Sequence, residues 1–114
     1  MRATIFVTDD EPAIRSAIVK RLTRRQHNVT GIESGEDLIK AVSLNLPDLI
    51  LLDLKMPGLS GLETLRQIRP LAPQALVIML TAYGTVEDAV EAMRLGAYDF
   101  LIKTVDLGGI DPVV

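Results

Sequence analysis

The apolar positions of this chain switch between two spacings. The runs Thr4-Ile5-Phe6-Val7, Leu49-Ile50-Leu51-Leu52 and Ala75-Leu76-Val77-Ile78-Met79-Leu80 are short, unbroken and of the length expected for buried strands. Between them apolar residues recur every three or four positions, as on one face of a helix. Ile14, Ile18 and Leu22, with Ala17 beside them, predict a first helix that opens at Asp10-Glu11-Pro12 and runs to about Gln26. Asp10 is its expected N-cap, and Arg15, Lys20, Arg21, Arg24 and Arg25 fill its wet side. Val29 to Ile32 is a weaker second strand, and Ser34-Gly35-Glu36-Asp37 approximates a capping box for a second helix ending near Asn45. The loop Met56-Pro57-Gly58-Leu59-Ser60-Gly61 leads into a third helix carrying Leu62, Leu65 and Ile68, which Pro70 and Pro73 terminate. A fourth helix, from about Val86 to Leu95, turns Ala89, Val90 and Met93 inward and stops at Gly96; Tyr98 to Ile102 forms the last strand.

Strands that alternate with helices close into a parallel sheet with right-handed crossovers and helices on both faces. The unbroken run Leu49 to Leu52 suits a central strand covered on both sides. The expected class is α/β: a flavodoxin-like, doubly wound, five-stranded parallel sheet of strand order 2-1-3-4-5, its last helix truncated or absent in Val105 to Val114.

Composition narrows the function. A chain of 114 residues, 48% hydrophobic and 24% charged, is one ordinary globular domain. It has no apolar run near the roughly 18 residues of a spanning helix and no signal-peptide core, so a cytoplasmic location and no membrane partner are expected. With no cysteine and a single histidine, any metal must be hard and oxygen-bound. A net charge of -3 offers no basic footprint, so no direct nucleic acid binding is expected of this segment.

In a doubly wound fold ligands bind beyond the carboxyl ends of the strands. The residues where the strands stop are Asp9-Asp10, Asp53, Thr81 and Lys103. Neighbouring carboxylates repel, and a divalent cation relieves that repulsion; oxygen-only ligands point to Mg2+ or Mn2+. In that setting Asp53 is a nucleophile towards phosphorus, and an ionised carboxylate needs no general base. Lys103 and the Thr81 hydroxyl would hold phosphoryl oxygens. Taken singly the residues have plainer readings: Asp10 as a helix cap, Asp53 as a turn former, Lys103 as an exposed strand end, Phe100 as core, His27 as an exposed surface residue.

Val7-Thr8-Asp9-Asp10-Glu11, Asp53-Leu54-Lys55-Met56-Pro57-Gly58 with Gly61, Thr81-Ala82 and the late Lys103 together resemble the receiver domain of bacterial two-component response regulators. The stretches Thr81-Ala82-Tyr83-Gly84 and Gly96-Ala97-Tyr98-Asp99-Phe100-Leu101 look most like receivers of nitrogen-regulation-type transcriptional activators. The resemblance implies that a sensor histidine kinase phosphorylates Asp53, with Asp10, Asp53 and the Lys55 backbone carbonyl on the metal and Asp9 in the same pocket. It also implies Thr81 and Lys103 as phosphoryl ligands, Phe100 as an aromatic switch, and Lys55 and Tyr83 as residues tuning dephosphorylation. Such a domain is a switch rather than a conventional enzyme, and it alters its protein-binding surface to control an effector domain.

Two features depart from that pattern. Thr104 stands where receivers carry proline after the lysine, and a cis bond before a non-proline residue costs about 2.5–4 kcal/mol. The absent last helix fits either an N-terminal fragment of a longer regulator, residues 1–114 being its receiver, or a face covered by a homodimer. The competing function is a pseudo-receiver, a phosphorylation-independent protein-interaction module. An aspartate-nucleophile phosphatase is disfavoured because Asp53-Leu54-Lys55 lacks a second acid two residues on. A nucleotide-binding protein is disfavoured because the first strand leads into acids, not a glycine-rich loop.

Overall fold

The structure, a computed structural model, describes residues 2–82 and 84–102. Tyr83, Lys103, Thr104 and the stretch Val105 to Val114 lie outside the described residues, and with them the expectations placed there. The elements run β1 (Thr4–Thr8), α1 (Pro12–Arg24), β2 (Asn28–Ile32), α2 (Gly35–Leu44), β3 (Leu49–Leu52), α3 (Gly61–Ile68), β4 (Leu76–Thr81), α4 (Val86–Arg94) and β5 (Asp99–Ile102). All neighbouring strands pair in parallel, in the order β2-β1-β3-β4-β5. This is the doubly wound sheet that the alternating pattern predicts.

Alternate side chains of each strand feed opposite faces. Phe6, Ile50, Leu52, Val77 and Met79 meet Leu38 and Val42 of α2 and Leu65 and Ile68 of α3. Ile5, Val7, Leu49, Leu51, Ile78 and Leu80 meet Ile18 and Leu22 of α1. Since both faces of β3 are covered, its sequence is apolar throughout, and all its residues are buried.

Three helices start on a hydroxyl. Ser34, Ser60 and Thr85 accept from the backbone N–H of Asp37, Glu63 and Asp88, and Asp88 returns the bond to complete a capping box on α4. At α1 the expectation of an Asp10 cap is wrong: Glu11 is the N-cap, with no side-chain bond, because Pro12 occupies the first turn and holds the residue before it in extended backbone. The same helix also stops earlier than Gln26. Gln26 sits in the left-handed region at φ 68°, its N–H donates to the Thr23 carbonyl, and His27 N–H donates to the Leu22 carbonyl, which is a Schellman stop. A non-glycine there is strained, so Gln26→Gly should raise stability by about 1 kcal/mol, read as a shift of the urea midpoint at constant slope.

Other expectations also change. β2 starts at Asn28, β4 at Leu76 and β5 at Asp99, each one residue from its expected bound. His27 is half-buried rather than exposed, its Nδ1 accepting from Ala3 N–H at 3.1 Å. Ala17 is exposed, and Val19 packs beside Ile18 instead. On α4 the inward stripe is turned by one residue. Ala92 is the buried position, while Val90 and Met93 are 53% and 48% exposed. The small side chains of Ala89 and Ala92 let the helix lie close, and larger ones face out. At the end of α3, Arg69 Nη1 donates to the Gly96 carbonyl at 3.0 Å, and its Nη2 donates to Ala72 and Ala75 carbonyls. Desolvation lowers the pKa of this guanidinium, which ties the α3–β4 loop to the α4–β5 turn.

Candidate functional site

The register of the sheet sets the site. Thr8 pairs with Leu52, so Asp9 and Asp53 leave adjacent central strands side by side at the carboxyl edge. Their backbones are fixed there: Asp53 N–H donates to the Thr8 carbonyl at 2.9 Å, and Asp9 N–H donates to the Ile32 carbonyl at 3.0 Å. Asp9 and Asp53 are buried at 2% and 5% exposure, and Asp10 is half-buried. A carboxylate oxygen from each of Asp9, Asp10 and Asp53 lies within 4.8 Å of the others. Thr81, also buried, ends β4 on the other side of β3.

Charged groups this close and this buried are unfavourable unless something of opposite sign joins them. The donor set is all oxygen, as a hard divalent cation requires. Asp9 has further work: its Oδ1 accepts from Glu11 N–H at 2.9 Å, turning the chain into α1. Arg15, read from the sequence as a wet-side residue, is half-buried and donates from Nη1 to the Asp9 carbonyl at 2.8 Å. This fixes the peptide between the two acids.

The acceptor loop is closed from below and above. Gly61 N–H donates to the Leu54 carbonyl at 2.8 Å, so α3 begins directly against the strand end. Gly58, at φ 75°, makes the turn, and the Glu36 carboxylate of α2 accepts from Leu59 N–H at 3.3 Å. By local pattern Glu36 has only a helix-start role, because a partner 23 residues away carries no local signal. Lys55 is exposed, beside an open cleft of about 330 Å3 shared with Leu54, Met56, Ser60, Leu62 and Asp88. Phe100 on β5 is half-buried against the core and near Thr81 across Gly84. The structure thus brings Asp9, Asp10 and Asp53 together; Lys103 and Tyr83 lie outside the described residues.

Thr8 is not singled out by its sequence context. It is 1% exposed, and among the described residues its Oγ1 has no hydrogen-bond partner. An unsatisfied buried hydroxyl costs about 1–3 kcal/mol. Thr8→Val should therefore stabilise the protein by about 1 kcal/mol, measured by chemical unfolding, and a loss of stability would show that the hydroxyl is satisfied in solution.

Among the described residues no helix is long and apolar enough to cross a membrane. Residues 5–112 match the family described as the response regulator receiver domain. The chain is 36% identical over 106 residues to the DNA-binding transcriptional regulator NtrC of Klebsiella pneumoniae, a match that spans 93% of this chain and 23% of that protein. Its fold is similar, at TM-score 0.88 and 26% identity over 94% of this chain and 63% of the other, to a response regulator protein from Burkholderia pseudomallei with a phosphorylated aspartic acid, a calcium ion and citrate. It is also similar, at TM-score 0.87 and 31% identity over 99% of this chain and 96% of the other, to the response regulator TrrA of Thermotoga maritima in complex with Mg2+ and BeF. Sheet order, acidic cluster and these likenesses agree: the chain belongs to the response regulator receiver domain family.

Proposed function

We propose that this chain is a phosphoacceptor switch in which Asp53 takes a phosphoryl group from a sensor histidine kinase in the cytoplasm. The observation that carries the reading is the convergence of three carboxylates, two of them buried, at the carboxyl edge of the central strands. A carboxylate oxygen of Asp53 forms a bond to phosphorus as the P–N bond of a phosphohistidine breaks, and the electron pair returns to the imidazole nitrogen. Asp9, Asp10, Asp53 and the Lys55 backbone carbonyl would hold Mg2+ or Mn2+, which when bound supplies charge neutralisation for the incoming group. Thr81 and Lys103 hold phosphoryl oxygens, and Lys55 and Tyr83 set how readily water reaches the product. Phosphorylation then shifts a two-state equilibrium at α4 and β5, where Phe100 lies, and changes how the domain meets an effector domain or a second copy. The chain turns over no separate substrate and is not a conventional enzyme in this reading.

Incubation with Mg2+ and acetyl phosphate should add one phosphoryl group by intact mass, and fragmentation should place it on Asp53. A chain that gains none, with metal present and the fold intact, would sink the proposal in favour of phosphorylation-independent protein binding.

A further inference from the structure

Lys55 is carried by the loop that joins β3 to α3. The first half of this loop is anchored from within by the buried side chains of Leu54 and Met56. Its second half has no such plug, and Pro57 and Gly58 are exposed. What that half meets is the first turn of α2. The Glu36 carboxylate accepts from Leu59 N–H at 3.3 Å, and a Cβ at Gly58 would lie 2.9 Å from Glu36 Oε2 and 3.6 Å from Oε1, so both oxygens lie against the loop backbone. Gly35, one residue earlier, is buried; a Cβ there would run into Thr64 Oγ1 and come within 3.3 Å of the Leu59 carbonyl oxygen. Thr64 Oγ1 in turn donates to the Ser60 carbonyl at 2.7 Å. The turn is itself fixed by Ser34 Oγ, which accepts from Asp37 N–H at 3.1 Å. Helix α2 supplies no carboxylate to the acidic cluster, yet it touches the acceptor loop through two successive residues.

From this we infer that the first turn of α2 braces the cation site and that Glu36 is its positioning residue. The inference rests on the reading above, in which the Lys55 backbone carbonyl is a ligand of the metal. A backbone carbonyl is aimed by the peptides around it, and three residues beyond Lys55 the chain passes through Gly58 at φ 75°, a residue that reaches other conformations at little cost. With Leu59 N–H held by Glu36, the chain is fixed on the far side of that hinge and residues 55–57 keep one shape. Without it the loop samples several shapes, and the need to order them on binding opposes the metal. Glu36 acts here as a hydrogen-bond acceptor rather than as a charge, so an amide oxygen should serve as well. By linkage the coupling runs both ways: a cation that orders the loop also steadies the first turn of α2. Glu36 is exposed, so replacing it leaves the core and the fold intact.

The test titrates the full chain with Mn2+, reading the free ion by electron paramagnetic resonance, and follows amide hydrogen exchange over residues 34–38 with and without the ion. Glu36→Ala should bind Mn2+ about tenfold more weakly than the parent, the lower end of what is lost when a group supporting a metal ligand is removed. Glu36→Gln should bind within about twofold of the parent, because its amide oxygen accepts the same bond. Saturating Mn2+ should slow exchange over residues 34–38 in the parent and in Glu36→Gln, and not in Glu36→Ala. Equal affinities of Glu36→Ala and the parent overturn the inference while leaving the phosphoacceptor reading in place. A Glu36→Gln protein as weak as the alanine variant also overturns it, since the effect is then one of charge. So does a parent whose first turn of α2 exchanges at the same rate with and without the ion. A parent that binds no Mn2+ removes the cation from the functional reading itself.

Discussion

Gly61→Ala is expected to lower stability by about 3 kcal/mol or more and to open the acceptor loop. A Cβ at Gly61 would sit 2.2 Å from the Asp53 carbonyl oxygen, 2.7 Å from Leu54 Cα and 2.9 Å from the Leu54 carbonyl oxygen. Every one of those atoms is backbone, at the end of the central strand, so none can swing aside. Relief must come from moving α3 away from β3, which breaks the Gly61 N–H bond to Leu54 and loosens the buried Leu65 and Ile68. Overpacking alone costs about 1–3 kcal/mol, and the lost hydrogen bond and packing add to it. For a domain of this size about 3 kcal/mol lowers the melting midpoint by roughly 12–24 °C. Gly31→Ala is the matched control. Its Cβ would meet Arg15 and Val19 side-chain carbons at 3.3 Å, which can give way, so a shift of a few degrees at most is expected. Equal losses for the two variants, measured by thermal unfolding, would show that α3 is not clamped against the acceptor strand.

The contrast between these glycines shows what sequence could and could not reveal. Strand ends were legible, because an apolar run that stops at Asp9, Asp53 or Thr81 marks both the strand and the edge where ligands gather. The parallel sheet followed from the alternation of elements, and its order from the choice of a flavodoxin-like doubly wound fold. The face of α4 was not legible: Val90 and Met93 are more apolar than Ala92, yet alanine is the residue whose size permits the close approach. Hydrophobicity reports what can be buried, and packing distance decides what is. Asp10 misled in a related way, since a cap is a local pattern and Glu11 held the position once Pro12 had fixed the first turn. Glu36 owes its role to a partner 23 residues away, beyond any local window, and Arg15 reaches back six residues from α1 to the end of β1, a pairing that its wet-side spacing does not show. The acidic cluster was readable for the opposite reason: Asp9 and Asp10 directly follow the end of β1 and Asp53 the end of β3.

Asp53→Asn is expected to abolish phosphoryl uptake altogether while making the metal-free protein more stable. The two effects have one origin. The amide that replaces the carboxylate has no anionic oxygen to bond to phosphorus, so the intact mass should stay unchanged after acetyl phosphate, where the parent gains one group. The same substitution removes one of three carboxylates whose oxygens lie within 4.8 Å of one another. At an effective dielectric of about 20, two unit charges at that spacing repel by roughly 3 kcal/mol, and nearby groups of opposite sign offset part of this. A net gain of about 1 kcal/mol in metal-free buffer is the expected size. Adding Mg2+ should narrow or reverse the difference. Saturation at about a hundred times the dissociation constant stabilises the parent by about 2.7 kcal/mol, whereas the variant binds through a weaker set of ligands. Urea unfolding with chelator and with Mg2+, run on both proteins, separates these contributions. If Asp53→Asn is less stable than the parent without metal, the carboxylates are not in net repulsion, and the cluster is a structural network rather than a site that awaits a cation.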